Sequence, residues 1–262
     1  MCNIPLLSIA IPTWNRANIL KICLSKLLPQ ILKHRDYIEF IVSDNGSTDD
    51  SIEVINSFKE SYSSICFTTN QNKINTGYFG NFKKCRELAT GKYLWLLSDN
   101  DHVTDGILDQ IIICLQQSET LGGVFLKYSS QDGMANKKFL VSEILDFNKL
   151  IEQANRHITL LSTNIFLNTK DEDDKIFHNF LGNSFLGFIL VIQAYSKVNK
   201  AIIISGPSLV IFPATVSFNI FESFTSHIFC TFLMMNEKNL VTKIALSQFK
   251  EDIIYNIIKD HY

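Results

Sequence analysis

Basic residues are not in excess in this chain. Its 24 Lys and Arg stand against 26 Asp and Glu, giving a formal charge of −2 and a pI near 6.3. A protein that grips nucleic acid through its phosphates carries a positive face, so nucleic acid is not expected as a partner. The six cysteines, at positions 2, 23, 66, 85, 114 and 230, never come close enough for a CxxC-type metal or redox motif. Nothing points to a disulfide framework, which makes a reducing cytoplasm the expected compartment. Cys23, Cys85 and Cys114 fall on apolar faces of expected helices, where a thiol behaves as a small hydrophobe. No basic region precedes the apolar LLSIAIP, which is short and ends in proline, so a secretory leader is not expected. Ile176–Ser196 and Ala201–Phe221 lack Lys, Arg, Asp and Glu altogether. The first nevertheless carries His178, Gly182 and Gln193, and the second is interrupted by Gly206-Pro207 and Pro213. A membrane span wants about 20 predominantly apolar residues, so both stretches read as buried elements. Internal repeats, low-complexity tracts and clear linkers are also absent.

What is present is a large apolar fraction, 46% of 262 residues, enough for one large domain or one with an elaborated second half. Leu6–Ile11 reads as a buried strand, followed by a loop Pro12-Thr13-Trp14-Asn15-Arg16. A helix then carries Ile19, Leu20, Cys23, Leu24, Leu27 and Leu28, with Asn15 or Asn18 as its cap and Pro29 closing it. Tyr37–Ser43 is a second strand. Behind it, Ser47 and Asp50 have the spacing of a capping box for a helix through Ile52, Ile55 and Phe58. Ile65–Thr69 is a third strand and Asn75-Thr76-Gly77 a turn. The next helix bears Phe79, Phe82, Cys85 and Leu88, with Gly91 as its C-cap. Tyr93–Leu97 is a fourth strand with no polar face until it stops at Ser98.

Strand and helix alternate through this half, which predicts an α/β fold with a doubly wound, mostly parallel sheet. Three strand ends finish in polar clusters, PTWNR, SDNGSTDD and SDND, and parallel strands would gather these along one edge, where ligands sit in such sheets. Asp99 and Asp101 at the last of them suit a hard divalent cation whose other ligands come from a diphosphate. An acid-rich turn is the alternative. Further on, a helix from Thr104 leads to a strand at Val124–Tyr128, a polar loop Gln131–Lys138 and a mostly helical Val141–Ile158. Leu160–Phe166 is a strand, Thr169–Lys175 an acidic loop, Phe185–Tyr195 a helix, and Ala201–Ser205 and Leu209–Phe212 are strand-like. Phe218–Tyr262 reads as two or three helices. Trp14 and Trp95 are expected in the core, and Lys83 and Lys84 on a solvated helix face.

SIAIPTWNR, IVSDNGSTDDS, NTGYFGNF and ATGKYLWLLSDND, in this order, resemble the inverting family 2 glycosyltransferases of GT-A fold. The chain is most similar to bacterial O-antigen sugar transferases of the abequosyltransferase kind. The resemblance covers residues 5–115 and is loose beyond 120. It implies a nucleotide-sugar-binding half over 1–115 and an acceptor-side half with C-terminal helices over 116–262, within one GT-A-like domain. The implied function is transfer of a sugar, with inversion, from a nucleotide-diphosphate donor to a polyprenyl-diphosphate-linked glycan in bacterial surface-polysaccharide (lipopolysaccharide) assembly. The implied location is the cytoplasm, peripheral on the inner face of the plasma membrane.

Residue by residue, the resemblance implies that Pro12, Thr13, Asn15 and Arg16 line the donor pocket and that Asp44 reaches the base or ribose. Asn75 and Gly77 would form the turn under the nucleotide. Asp99 and Asp101 would be a DXD-type motif, Asp101 the more direct ligand of Mn²⁺ or Mg²⁺. The chain departs from the pattern twice. Relatives often carry an Arg after the NxG turn; here Tyr78-Phe79-Gly80-Asn81 has none, so Arg16 or Lys83 would substitute. Many relatives place a carboxylate before the helix corresponding to Phe185–Tyr195, but Gly182–Gly187 contains no acid. His178 and the Asp171–Asp174 run are the nearest candidates for the general base, with a structural histidine and a solvated loop as the alternatives. Two other classes stay in view: a catalytically silent nucleotide-sugar-binding or scaffold module, and a sugar-1-phosphate nucleotidyltransferase. The second is disfavoured because PTWNR is not a Gly-rich phosphate loop.

Overall fold

The computed structural model describes residues 4–127, 138–154, 158, 160–169 and 186–210, with Thr231, Ser247 and Glu251. In chain order its elements are β1 (Leu7–Thr13), α1 (Ala17–Lys33), β2 (Ile38–Asp44), α2 (Ser51–Ser61), β3 (Cys66–Gln71), α3 (Gly77–Leu88) and β4 (Tyr93–Leu96). There follow β5 (His102–Val103), α4 (Ile107–Gln117), β6 (Gly123–Leu126), β7 (Leu140–Ile144), α5 (Phe147–Ala154), β8 (Asn164–Leu167), α6 (Leu186–Val198), β9 (Ala201–Ser205) and β10 (Leu209–Val210). Strand pairing is mostly parallel, as an alternating α/β pattern requires.

The chain forms two compact units. The first comprises Met1–Glu119, Tyr128–Phe139 and Ser205–Ala214. Its strands lie in the order β3-β2-β1-β4, each pair parallel. β1, β2 and β4 are buried along nearly their whole length, which is why their sequences show no polar alternation. At the far end from the polar clusters, the buried Glu39 carboxylate accepts hydrogen bonds from the Ser8 and Thr90 hydroxyls and from the Thr90 and Gly91 amides. This ties β4 to β1 and β2 where they begin. Gly91 is not the helix C-cap the sequence predicted, since α3 ends at Leu88 with Ala89 extended. A Cβ at Gly91 would sit 2.7 Å from the Ser8 nitrogen, so glycine is there for close approach.

Two prolines behave differently from expectation. β1 runs through Pro12 to Thr13 rather than stopping before it. Leu7 donates toward β2 and Ala10 accepts from Leu97, so even-numbered residues of β1 face β4. The missing N–H of Pro12 therefore points past the last β4 pairing, at Ala10, and costs no ladder bond. Pro29 does not close α1, which continues to Lys33. Losing one helical hydrogen bond there is offset by the burial of Ile31 in the turn beyond. A short antiparallel pair, β5 with β10, was not expected; Thr104 secures it through its hydroxyl to Pro207 and its amide to Ser208.

The second unit comprises Thr120–Lys127, Leu140–Ile204 and Thr215–Tyr262. Its strands lie in the order β8-β6-β9-β7, with β6 parallel to β9 and antiparallel to β8. Leu140–Ile144 is a strand, although the stretch from Val141 was expected to be mostly helical, and the helix begins only at Phe147. Leu161–Thr163 is a 3-10 turn before β8. α6 packs closely on this unit: a Cβ at Gly122 would lie 2.5 Å from the Tyr195 Cα. The helices expected over Phe218–Tyr262 and the acidic loop Thr169–Lys175 fall outside the described residues, apart from Thr169 and the helical Thr231, Ser247 and Glu251.

Candidate functional site

All three polar clusters lie at the carboxyl ends of parallel strands in the first unit. Thr13 ends β1, Asp44 ends β2, and Asp99 follows β4. The Thr13 hydroxyl donates to Asp99 Oδ2 at 2.8 Å, and Arg16 Nη1 donates to Asp99 Oδ1 at 2.8 Å. Asp99 is 3% exposed and the Arg16 side chain 30%, so the ion pair has one buried member and one open to solvent. Burial pushes the Asp99 carboxyl above its ordinary value, with Arg16 and the Thr13 hydroxyl pulling the other way.

Asp44 is fully buried. Its carboxylate accepts from the Ser47 hydroxyl and, at 3.1 Å, from the Ser47 amide, so it closes the turn Asp44-Asn45-Gly46-Ser47. Gly46 takes φ +73°, and a Cβ there would stand 3.1 Å from Asn72 O and Ile74 C. The turn is thus pressed against the backbone that leads into α3.

Asn15 adopts the left-handed conformation, φ +51°. It caps nothing. Its amide donates to Ser47 Oγ at 2.8 Å and its Oδ1 accepts from the Thr48 amide at 2.7 Å, joining the β1–α1 loop to the β2–α2 loop. The cap of α1 comes from Asp49, whose Oδ2 accepts from the Ala17 amide at 2.9 Å. The capping box of Ser47 and Asp50 does not form: Asp50 makes no capping bond, and Asp49 Oδ1 serves the Ser51 amide at 3.1 Å. Slight burial pushes the Asp49 carboxyl up, but bonds from Ser51 and Ala17 outweigh it and hold it below its ordinary value.

The largest omission from the sequence reading is a set of asparagines. Asn45 Nδ2 donates to Asn75 Oδ1 at 2.8 Å and to Gly77 O at 3.1 Å. Its Oδ1 accepts from Asn72 Nδ2 at 2.9 Å, the Thr76 amide at 3.0 Å and the Thr76 hydroxyl at 2.9 Å. Asn81, buried on α3, donates to Ser43 O at 2.8 Å and Thr13 O at 3.4 Å and accepts from Ser43 Oγ at 2.6 Å. Asn75 and Gly77, both predicted for the site, meet in this network, where the Gly77 amide donates to Asn75 Oδ1 at 2.8 Å. The available signal was the density of Asn between 70 and 81, which alone reads as turn.

Asp101 is 6% exposed. Its amide donates to Ser98 O at 3.2 Å, and its carbonyl accepts from the Cys23 thiol at 3.6 Å, so α1 supports the SDND turn from below. Burial, then Asp99 and Asp101, push that thiol far above its ordinary value, leaving it inert. Lys83 and Lys84 pair with Glu87 at 3.8 and 3.1 Å on α3, a solvated face as expected. Trp95 is fully buried, whereas Trp14, expected in the core, is 47% exposed between Thr13 and Arg16. It stands in the β1–α1 loop, next to Asn15 in its left-handed conformation. His178 lies outside the described residues.

The donor chemistry fits a divalent cation in a limited way. Carboxylate oxygens are the hard ligands that Mn²⁺ and Mg²⁺ take, but among the described residues no cluster of three His, Cys, Asp or Glu could hold an ion by itself. A metal here would draw most of its ligands from a bound diphosphate.

Over 108 residues the chain is 31% identical to the GalNAc(5)-diNAcBac-PP-undecaprenol β-1,3-glucosyltransferase of Campylobacter jejuni subsp. jejuni serotype O:2, covering 41% of this chain and 34% of that protein. Over 96 residues it is 34% identical to the abequosyltransferase RfbV of Salmonella typhimurium, covering 37% and 28%. The matches thus span about a third of these relatives' own length. The fold is shared with S. aureus TarS 1–349 in complex with UDP-GlcNAc, at TM-score 0.65 and 14% identity over 95% of this chain and 71% of that one. It is shared too with the mannosyltransferase PcManGT of Pyrobaculum calidifontis in complex with GDP-Man and Mn²⁺, at TM-score 0.63 and 12% identity over 90% and 65%. These likenesses establish the GT-A type of α/β fold. The family model for Glycosyl transferase family 2 matches residues 8–184, taking in all three strand-end clusters, and the chain belongs to that family.

Proposed function

We propose that the chain transfers a sugar, with inversion, from a nucleotide-diphosphate donor to a lipid-linked oligosaccharide during assembly of a bacterial surface polysaccharide. The observation that carries this is the hydrogen-bonded meeting of three strand-end clusters, with Thr13, Asn15, Arg16, Asp44, Asn75, Gly77 and Asp99 in one polar region. Pro12, Thr13, Asn15 and Arg16 line the donor pocket. The exposed Trp14 ring offers an apolar face to base or sugar. Asp44, fully buried and bonded to Ser47, acts on base or ribose through the Asp44–Ser47 turn that it closes. Asn75 and Gly77 form the turn under the nucleotide.

A Mn²⁺ or Mg²⁺ ion would neutralise the departing diphosphate as a Lewis acid, with Asp101 as its protein ligand. The fold shared with a Mn²⁺-bound mannosyltransferase supports this. His178 is the proposed base for the acceptor hydroxyl, since attack at the anomeric carbon requires that proton to leave. The acceptor class follows the undecaprenol-linked name of a relative. The acceptor would be met by peripheral association at the inner face of the plasma membrane; no helix among the described residues is long and apolar enough to cross a membrane.

Thermal stabilisation by UDP, GDP, CDP and dTDP with Mn²⁺ identifies the nucleotide, because a ligand that binds only the folded state raises its stability. Transfer is then assayed with the matching nucleotide sugars. Asp101→Ala should abolish turnover with Mn²⁺; unchanged turnover would remove Asp101 as ligand. The lack of any acid in Gly182–Gly187 favours one other reading, a binding module without catalysis, which predicts the same stabilisation and no transfer to any acceptor.

A further inference from the structure

We propose that Asp99 is not a metal ligand but a positioning residue, which holds the Arg16 guanidinium as the cation for the donor's diphosphate. This rests on the nucleotide-sugar reading above and assigns one residue pair within it. Both Asp99 oxygens are already engaged, Oδ2 by the Thr13 hydroxyl and Oδ1 by Arg16 Nη1, each at 2.8 Å. A divalent cation on either oxygen would sit beside a guanidinium and be repelled by it. The pair is asymmetric, with the carboxylate 3% and the guanidinium side chain 30% exposed. Arginine carries five N–H donors in a planar fork. The Nη1 edge is spent on Asp99, which leaves the fork fixed in direction with donors remaining for an incoming anion. Its main chain is held as well, the Arg16 amide donating to Ser51 Oγ at 3.3 Å.

Three other cations near the strand ends have partners, and Lys73, exposed in the loop before the turn, offers a point-charge ammonium rather than a planar fork. Lys83 and Lys84 pair with Glu87, and Lys26 Nζ lies 3.0 Å from His102 Nδ1. The region after the Asn75-Thr76-Gly77 turn carries no arginine until Arg86, which is buried. Arg16 therefore supplies the charge that this turn does not. It sits at the N-cap of α1, whose first amide is already taken by Asp49, so the guanidinium rather than the helix end is the group available to the anion. A planar guanidinium locked by a buried carboxylate loses little freedom when it takes up a diphosphate, which is how a supporting acid raises affinity without touching the ligand.

The test is calorimetry on the full chain in EDTA, comparing UDP, GDP, CDP and dTDP each with its own monophosphate. The wild-type chain should prefer the diphosphate by roughly tenfold or more without metal, as expected for charge-assisted bonds to one added phosphate. Arg16→Gln and Asp99→Asn should each abolish that preference, and the double variant should be no weaker than Arg16→Gln alone. Arg16→Lys should restore the charge but only part of the preference, since the fork is lost. Mn²⁺ binding, followed by its electron paramagnetic resonance signal with the nucleotide present, should survive Asp99→Asn and disappear in Asp101→Asn. Loss of the Mn²⁺ signal in Asp99→Asn with the metal-free preference intact would overturn the proposal. If Asp99→Asn does not fold, Arg16→Gln reads the same contact from its exposed side, and an unchanged preference there overturns it equally. If no nucleoside diphosphate binds with or without Mn²⁺, the glycosyltransferase reading itself fails.

Discussion

A few residues decide whether the strand ends make a site or only a set of turns. Asn45 uses both ends of its amide, donating to Asn75 and Gly77 and accepting from Asn72 and Thr76. A carboxylate of the same shape could only accept, so Asn45→Asp would set an oxygen against Asn75 Oδ1 and Gly77 O. Asn45 is buried, but Asn75 and Gly77 are exposed and can turn to water, so the loss falls at the low end of the range for an unpaired group, about 1 kcal/mol. The expected result is a lower urea midpoint with unchanged m-value, together with weaker nucleotide binding; an unchanged midpoint would show that the network is not under tension from this position. Gly46→Ala tests the same contact from the other side. Its φ of +73° and the 3.1 Å approach to Asn72 O should together cost roughly 1–3 kcal/mol, read in the same titration.

At the scale of elements, one carboxylate serves two helices. Asp49 accepts from the first amide of α1 and from the first amide of α2, so Asp49→Ala should cost about 1 kcal/mol in the manner of a lost N-cap. Its pKa is depressed in the fold, so its contribution is present above the unfolded carboxylate value, about 4, and is lost as pH falls through the folded value. The melting-temperature gap between wild type and Asp49→Ala should therefore be wide at pH 7 and shrink below pH 4; a gap independent of pH would discard the charged-cap explanation. From the sequence Asp49 reads as one more turn or cap residue, while Ser47 and Asp50 offer the more familiar spacing; only the packed loops decide which acid reaches Ala17. The parallel strands of the first unit were legible because unbroken apolar runs have few other uses. The helical stretch of α1 beyond Pro29 was hidden for the opposite reason, since a local rule against proline yields where Ile31 finds burial. Likewise Leu140–Ile144 is four-fifths exposed, so no apolar face marked it as a strand. The pairing of β5 with β10 joins segments so distant in sequence that no local pattern could show it.

For the molecule as a whole, the site described lies entirely within the first unit, and this makes a claim about where ligand energy should appear. A ligand at 100 times its dissociation constant adds about 2.7 kcal/mol to the folded state. Amides that the ligand or its hydrogen-bonded frame covers should show this as slowed exchange even under conditions where only local openings are sampled. With the nucleotide diphosphate selected by thermal shift, hydrogen exchange should therefore slow at 12–17, 43–51, 70–81 and 98–101. The amides of Thr90 and Gly91, bound to Glu39 at the opposite ends of the same strands, should not change under those local conditions. Repeating the measurement in Asn45→Asp separates the frame from the ligand. Protection over 70–81 should fall before any nucleotide is added, because the asparagine network orders that segment by itself. If nucleotide instead protected only segments outside these four, the strand-end clusters would be a structural seam and the donor pocket would have to be sought elsewhere in the chain.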